Sequence, residues 1–548
     1  MQVPAIMGAL SRGRRRVPEY DTGRTVFERA CERAPEGMEI AAVAAADPAR
    51  IAIWSDQGTL DFAALNTLSN RLARGLQDAG LVPGDPVALV CSNRLEFAVV
   101  RFAAHRSGFR LTPINWHLAP ADIAWIVADC EAKALFLDTR VASAAEAAGA
   151  SPHLQLRVSI GGALRGYTTW EQVLDGRDGS DIPAPCLGNT MLYTSGTTGR
   201  PKGVFRRQPD PAVAARMQQM LTAVFRFDPD GGADRALATG PLYHAGPFGL
   251  CLNTPLTAGI GTVLMDRWEP AQMLELIARY RITHTFCVPT MFNRLLQLPD
   301  AERAHHDISS LRFVIHGAAP VSIDTKTRML DWFGPVLWEM FAGTEGPGTI
   351  VGPEEWLARP GTVGKPAPGQ VRILGDDNDE QPRGSPGRVF LANPPGSVFE
   401  YFKDPGKTAS VQHEGYFTAG DIGYLDHEGY LFLSGRSAEV IISGGVNLYP
   451  QEIDDVLALH PAVADVACVG VPDADLGEVV RAVVELRPGH AADQHMHGAL
   501  LAFCAERLSR QKWPRGIDFV ASLPRSEAGK ALRASIRAPY WQGRERSI

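Results

Sequence analysis

The stretch Tyr193-Thr-Ser-Gly-Thr-Thr-Gly-Arg-Pro-Lys-Gly-Val204 gathers four hydroxyl side chains (Thr194, Ser195, Thr197, Thr198), three glycines (Gly196, Gly199, Gly203) and two cations (Arg200, Lys202). That composition suits an oxyanion cradle. Glycines let backbone N–H groups approach a phosphate closely, hydroxyls add donors, and the cations add charge. It is not a Walker loop, because Lys202 is followed by Gly203 rather than by Ser or Thr. A plain surface turn explains the glycines, but not the Gly-Arg-Pro-Lys-Gly ending behind apolar Met191-Leu192-Tyr193.

Other segments carry residues fit for chemistry. Pro241-Leu-Tyr-His-Ala-Gly-Pro247 sets Tyr243 and His244 in a loop after the cradle. His316-Gly-Ala-Ala-Pro320 closes an apolar run with Gly317, Ala318 and Ala319. Such small residues let backbone lie flat against a planar ligand, or make a tight strand-to-helix turn. Phe341-Ala-Gly-Thr-Glu345 offers a ring that can stack on a base and a hard carboxylate oxygen of the kind that binds Mg²⁺. Asp421, after Gly420, is placed to accept from two ribose hydroxyls or to form a turn. Lys530 follows a glycine near the C-terminus, where a lysine is by default a solvated charge.

The elements that must hold these loops alternate. Leu65, Leu68, Leu72 and Leu76 share a helical face that stops at Gly80. Val87–Val90 and Ala134–Leu137 read as buried strands, and Pro270 opens a helix to about Tyr280, followed by a strand over 283–288. Phe313-Val-Ile-His316 repeats the theme. This alternation predicts an α/β fold of parallel-rich sheets with flanking helices, and ligands at the carboxyl ends of the strands. After residue 435 the pattern changes to a helix from Pro450, strands near 466–471 and 479–486, and a helix near 500–508. The expected organisation is a basic disordered tail over 1–24, a large domain over 25–435 and a small, mobile α+β cap over 436–548.

Composition narrows the function. The chain has 548 residues, 45% hydrophobic and 21% charged, with net charge −7, which gives no reason to expect nucleic acid as a partner. Eight cysteines form no C-x-x-C pair, no apolar run reaches the length of a membrane span, and the N-terminus lacks the apolar core of a secretory signal. A cytoplasmic enzyme is the default expectation, and the composition leaves room for a homodimer.

The cradle and the motifs after it resemble the adenylate-forming superfamily of acyl-CoA synthetases, peptide-synthetase adenylation domains and luciferases. The match runs in order from Tyr193 to Arg533, and weaker similarity such as Pro113-Ile-Asn-Trp116 extends upstream. The resemblance implies that residues 194–199 and Lys202 hold ATP phosphates, that Gly317, Ala318, Ala319 and Phe341 border adenine, and that Asp421 and Arg436 fix the ribose. It implies Glu345 as the Mg²⁺ ligand, Thr344 as a phosphate contact, and Tyr243 and His244 at the acid's carboxylate. Lys530 would bridge that carboxylate and the α-phosphate. Ser443, Gly444 and Gly445 would wall a tunnel for CoA, and the cap would pivot near 436–439, at Ala438. Four positions depart from the family pattern: Phe341 for Tyr, Ala342 for Gly, Ala438 for Asp or Lys, and Ser526 for Thr.

The implied activity is ATP-dependent conversion of a carboxylic acid to acyl-AMP, then transfer to CoA. Phe248, Val288, Met291, Ala318 and Gly343, beside Tyr243, are the acyl-pocket candidates, and no Arg or Lys stands among them. An apolar acid is therefore expected: fatty, steroid side-chain or aromatic. Transfer to an amine or to a carrier protein is the alternative, since such relatives keep the same adenylation motifs.

Overall fold

The computed structural model describes residues 25–194, 201–208, 210–394, 396–436, 439–444, 446–473, 475–526 and 529–542. The expected tail over 1–24 lies outside them. The described chain divides into two compact units: 1–287 with 298–315 and 393–410, and 288–297 with 316–392 and 411–548.

The first unit is α/β. One sheet runs Thr168–Thr169, Leu156–Ile160, Ala134–Asp138, Pro86–Val90, Arg110–Ile114, Asn189–Thr190, and every pair in it is parallel. Pro86–Val90 and Ala134–Asp138 are buried throughout, as a strand covered on both faces must be. Their side chains Ala88, Val90, Leu135 and Leu137 join Ile114, Ile123, Ile126 and Val127 in one core. A second sheet places Phe313–Gly317, His284–Cys287, Arg235–Ala238, Gly261–Leu264, Ile51–Ser55 and Gly58–Asp61 in that order; Arg235–Ala238 is parallel to both its neighbours, Ile51–Ser55 is parallel to Gly261–Leu264, and Gly58–Asp61 is antiparallel to Ile51–Ser55. The expected helices are present. Phe62–Asp78 starts where Asp61 caps Ala64 N at 2.7 Å, and Pro270–Tyr280 starts at its proline.

The second unit departs from the parallel expectation. Leu337–Gly343 and Gly346–Val351 form an antiparallel hairpin. Residues 362–436 build a seven-stranded sheet, antiparallel in every registered pair. The reason is connection length. Asp421–Leu425 and Leu431–Arg436 are joined by a short turn, too short for the crossover a parallel pair needs. Asp426 shapes that turn by accepting from the N–H of Glu428 and of Tyr430, and Gly429 supplies its left-handed φ of 89°.

The C-terminal part is α+β. In the long hairpin Val463–Asp473 and Gly477–Leu486, the strand Gly477–Leu486 is central: it also carries Gly516–Val520 in parallel and, at Gly477, pairs with Ser443 of Ile441–Ser443. The helices Pro450–Ala458 and Gln494–Ala505 bury Ile453, Leu457, Leu500 and Cys504 against it. Among the described residues no helix is long and apolar enough to cross a membrane.

Candidate active site

In the first unit, Thr194 ends the strand Leu192–Thr194 and Lys202 opens Lys202–Arg206. The two residues are register partners, so an antiparallel stem presents both ends of the cradle. Ser195, Gly196, Thr197, Thr198 and Gly199 lie outside the described residues. The stem is anchored by Tyr193, whose hydroxyl donates to Asp129 Oδ2 at 2.5 Å. Burial raises the Tyr193 phenol well above its usual pKa, which keeps it a donor. The Lys202 ammonium stands 5.6 Å from the ring centre of Tyr401, on the strand Phe399–Tyr401 that pairs with its own.

Tyr243 and His244 are adjacent rings 4.6 Å apart. Their loop is pinned by a residue that the sequence reading passed over. Asn93 donates to Gly240 O at 3.0 Å and Met265 O at 2.9 Å, and its Oδ1 accepts from Leu242 N at 3.0 Å. The signal was an asparagine directly after a buried strand and Cys91-Ser92. Beyond His244 the chain winds into a π-helix, Phe248–Asn253. Such wide turns recur at functional sites. Phe248 is buried there, with Phe97 6.4 Å from its ring centre and the Arg101 guanidinium at 5.7 Å. Arg101 was also missed, because nothing in its helical neighbours marks it.

In the second unit, Gly317 is required by close approach: a Cβ there would lie 2.5 Å from Met340 O. Ala318 has φ 68°, the left-handed region that costs an L-residue about 1–2 kcal/mol. A strained residue at a strand end is a frequent mark of a functional turn. Phe341, Gly343, Thr344 and Glu345 follow at the end of Leu337–Gly343, where a register shift falls between Phe341 and Ala342. Behind these two strand ends, Lys326 Nζ donates to Glu339 Oε2 at 2.5 Å, with both groups buried. His316, fully buried beside them, is held neutral because burial drives its pKa well below the usual value.

Asp421 and Arg436 are cross-strand partners, and Arg436 Nε donates to Asp421 Oδ1 at 3.1 Å. Lys530 joins this group. Its side chain is open to solvent, yet surrounding protein atoms crowd its ammonium and lower its pKa. Arg436 lowers it further, while Asp421, Glu345 and Glu439 act in the opposite direction. The loop is set by Arg525, which binds Asp465 with Nε at 2.6 Å and Nη2 at 2.5 Å and donates to Gly529 O at 2.7 Å. Gly529, at φ 73°, presses so closely on the helix Pro289–Leu296 that a Cβ would run into Thr290 Oγ1, with Val288 Cγ2 at 3.2 Å. Val288 and Met291 of that segment are buried.

Arg533, three residues past Lys530, donates to Glu439 Oε2 at 3.0 Å, Cys468 O at 2.7 Å and Asp454 Oδ2 at 2.5 Å. Ser443 and Gly444 lie at the tip of the hairpin Ile441–Ser443 and Val446–Leu448, where Gly444 N donates to Leu476 O at 2.8 Å. Gly445 and Ala438 lie outside the described residues. The structure thus gathers Lys530, Asp421, Arg436 and Glu345 within one unit, and it sets Thr194 against Lys202 and Tyr243 against His244 in the other.

Residues 40–401 match the family model for AMP-binding enzymes, and residues 452–530 match the model for the AMP-binding enzyme C-terminal domain. The indoleacetate–CoA ligase of Aromatoleum aromaticum is 32% identical over 499 residues, covering 90% of this chain and 95% of that protein. The fatty acid–acyl-carrier-protein ligase ScoC of Streptomyces coeruleorubidus is 32% identical, covering 92% and 96%. Among solved structures, the amide bond synthetase McbA of Marinactinospora thermotolerans superposes with TM-score 0.80 at 27% identity, over 93% of this chain and 99% of that one.

Asn93→Ala leaves two buried carbonyls and one buried N–H without their partner. It is expected to destabilise the protein by about 3 kcal/mol, read as a lower urea midpoint. Gly529→Val has no room for its side chain and displaces the Lys530 loop. Trypsin cleavage after Lys530 should quicken about severalfold, with a change of only a few degrees in Tm.

Proposed function

This chain belongs to the AMP-binding enzymes of the adenylate-forming superfamily, and on that premise we propose that it activates a carboxylic acid of largely apolar body with ATP and passes the acyl group to CoA. The observation that carries the reading is the grouping of Lys530 with Asp421, Arg436 and Glu345.

A carboxylate is a poor acyl donor, because its leaving group would be oxide. Attack of its oxygen on the α-phosphorus of ATP expels pyrophosphate and gives acyl-AMP, whose phosphate ester leaves readily. The protein's task is electrostatic, since two anions must meet. In this reading Lys530 sits between carboxylate and α-phosphate and offsets both charges. Asp421 accepts from the ribose hydroxyls, oriented by Arg436. Phe341 stacks on the base; it has no hydroxyl, so it binds by its face alone. Thr194, Lys202 and the residues between them hold the β- and γ-phosphates. Thr344 contacts phosphate, and His244 with Tyr243 lines the carboxylate end.

Glu345 is assigned to Mg²⁺. A single hard carboxylate fits that ion, which takes its other ligands from water and phosphate; among the described residues no three His, Cys, Asp or Glu side chains are grouped to cage a metal. When bound, the ion would neutralise phosphate charge. For the second step we assign Ser443, Gly444 and Gly445 to the wall of a pantetheine tunnel, with a cap over 436–548 turning at Ala438. Phe248, Val288, Met291 and Gly343 line the acyl pocket in this reading. The buried thiols and ordinary charge balance fit a cytoplasmic enzyme.

A second acceptor class has support of its own: one relative is named for transfer to an acyl-carrier protein, and one similar structure is an amide bond synthetase. Incubation with Mg-ATP, a panel of apolar and aromatic acids, and either CoA or simple amines separates the readings by mass spectrometry of the products. Acyl-CoA is the expected product. Acyl-AMP that ignores CoA and yields amide would move the protein to the amide-forming class. Lys530→Ala should lower acyl-AMP formation by about a thousandfold or more while CoA attack on independently made acyl-AMP survives better. Equal loss of both half-reactions would overturn this division of labour.

A further inference from the structure

Lys530 stands on a loop whose two arms are fastened to each other. Arg525 and Ala531 face one another as an isolated antiparallel bridge. Ser526 N donates to Lys530 O at 2.8 Å, Gly529 N to Ser526 O at 2.8 Å, and Leu532 N to Pro524 O at 2.9 Å. Lys530 N in turn donates to Ser526 Oγ at 3.2 Å. These bonds shape the loop, but its direction is set from outside it. Two carboxylates of the long hairpin hold its stem. Glu485 Oε2 accepts from Leu523 N at 3.0 Å, and Asp465, the cross-strand partner of Glu485, takes Arg525. Asp465 sits where the register of its strand shifts, between Val463 and Asp465, and Val466 N donates to its Oδ1 at 2.9 Å. Such an irregularity turns a side chain out of the regular alternation.

The Arg525 guanidinium joins that carboxylate to the residue before the lysine. Nε and Nη2 bind the two oxygens of Asp465 at 2.6 and 2.5 Å, and Nη1 reaches Gly529 O at 2.7 Å. A forked pair fixes the plane of the guanidinium as well as its position, so the remaining N–H groups have set directions. The Arg525 and Asp465 side chains are 23% and 21% exposed, which limits screening of the pair by solvent. Gly529 O belongs to the peptide unit that carries Lys530 N. Through one arginine, a strand of the C-terminal sheet thus sets the point from which the Lys530 side chain starts.

We propose that Asp465 and Arg525 are positioning residues for Lys530, needed for acyl-AMP formation and dispensable once acyl-AMP is made. The inference rests on the assignment of Lys530 to the first half-reaction in the reading above. A lysine at position 525 would be a point charge, unable to span both carboxylate oxygens and the carbonyl together.

The test uses the full-length protein, the acid of highest turnover among straight-chain fatty, benzoic and arylacetic acids, and its chemically made acyl-AMP. Acid-dependent pyrophosphate release reads the first half-reaction, and acyl-CoA formed from supplied acyl-AMP reads the second. Arg525→Met should slow the first about a hundredfold and change the second by about twofold or less. Arg525→Lys should recover only part of the loss, and Asp465→Asn should show the same split at about tenfold. In a Lys530→Ala background, Arg525→Met should have no further effect on pyrophosphate release, because the side chain it positions is gone. Equal loss in both half-reactions overturns the proposal and makes the pair a general stabiliser of the C-terminal part. An unchanged first half-reaction overturns it too, as does full additivity with Lys530→Ala. If Arg525→Met does not fold, Arg525→Lys and Asp465→Asn decide. Wild-type protein that releases pyrophosphate with none of the acids would instead bring down the activation reading itself, and this inference with it.

Discussion

A strand buried on both faces has nowhere to put a polar side chain without a partner, and this constraint organises the chain. Pro86–Val90 and Ala134–Asp138 are buried from end to end, so polar groups gather where such strands stop. Asn93 stands just past one of them and secures three backbone groups of the Tyr243–His244 loop. Asp138 closes another and takes the Ser92 hydroxyl at 2.9 Å. Gly317 and Ala318 close a third. Chemistry at strand ends follows from what cannot be tolerated in their middles.

The exceptions are informative for the same reason. Lys326, Glu339 and His316 lie inside the packed layers: the ammonium meets the carboxylate, and the imidazole stays neutral, with its ring nitrogens buried and without a hydrogen-bond partner. Such a pair contributes little net stability relative to an apolar replacement, but removing one member is expensive. It ties the helix Ile323–Phe333 to the strand Leu337–Gly343, which runs on into Thr344–Glu345.

Much of this was legible in the sequence. The helix Pro270–Tyr280 and the buried strands at 86–90 and 134–138 leave local marks: a proline at the first turn and an apolar run. The motif residues could be named because each sits in a short string of unusual composition. The antiparallel sheet over 362–436 was not legible, because its strands are short and its turns polar, and pairing partners far apart in sequence leave no periodic signature. Asn93 and Arg101 failed for the same reason. Their partners lie 147 to 172 residues away for the two Asn93 donor bonds and 152 for Arg101 to Asn253. A single polar letter in an apolar helix says that something is paired, but not with what.

Glu439, next to the proposed pivot, and Arg533, three residues past the lysine proposed as catalytic, are 94 residues apart in sequence and joined through one guanidinium. With Asp454 and the Cys468 carbonyl also gripping Arg533, the polypeptide between pivot and lysine behaves as a crank rather than a tether. A tethered lysine would search a volume; a cranked one has its position set by a single angle. In the proposed turning of the cap, the ammonium would arrive and depart along an arc, and a change made at the pivot would be delivered at the far end without slack.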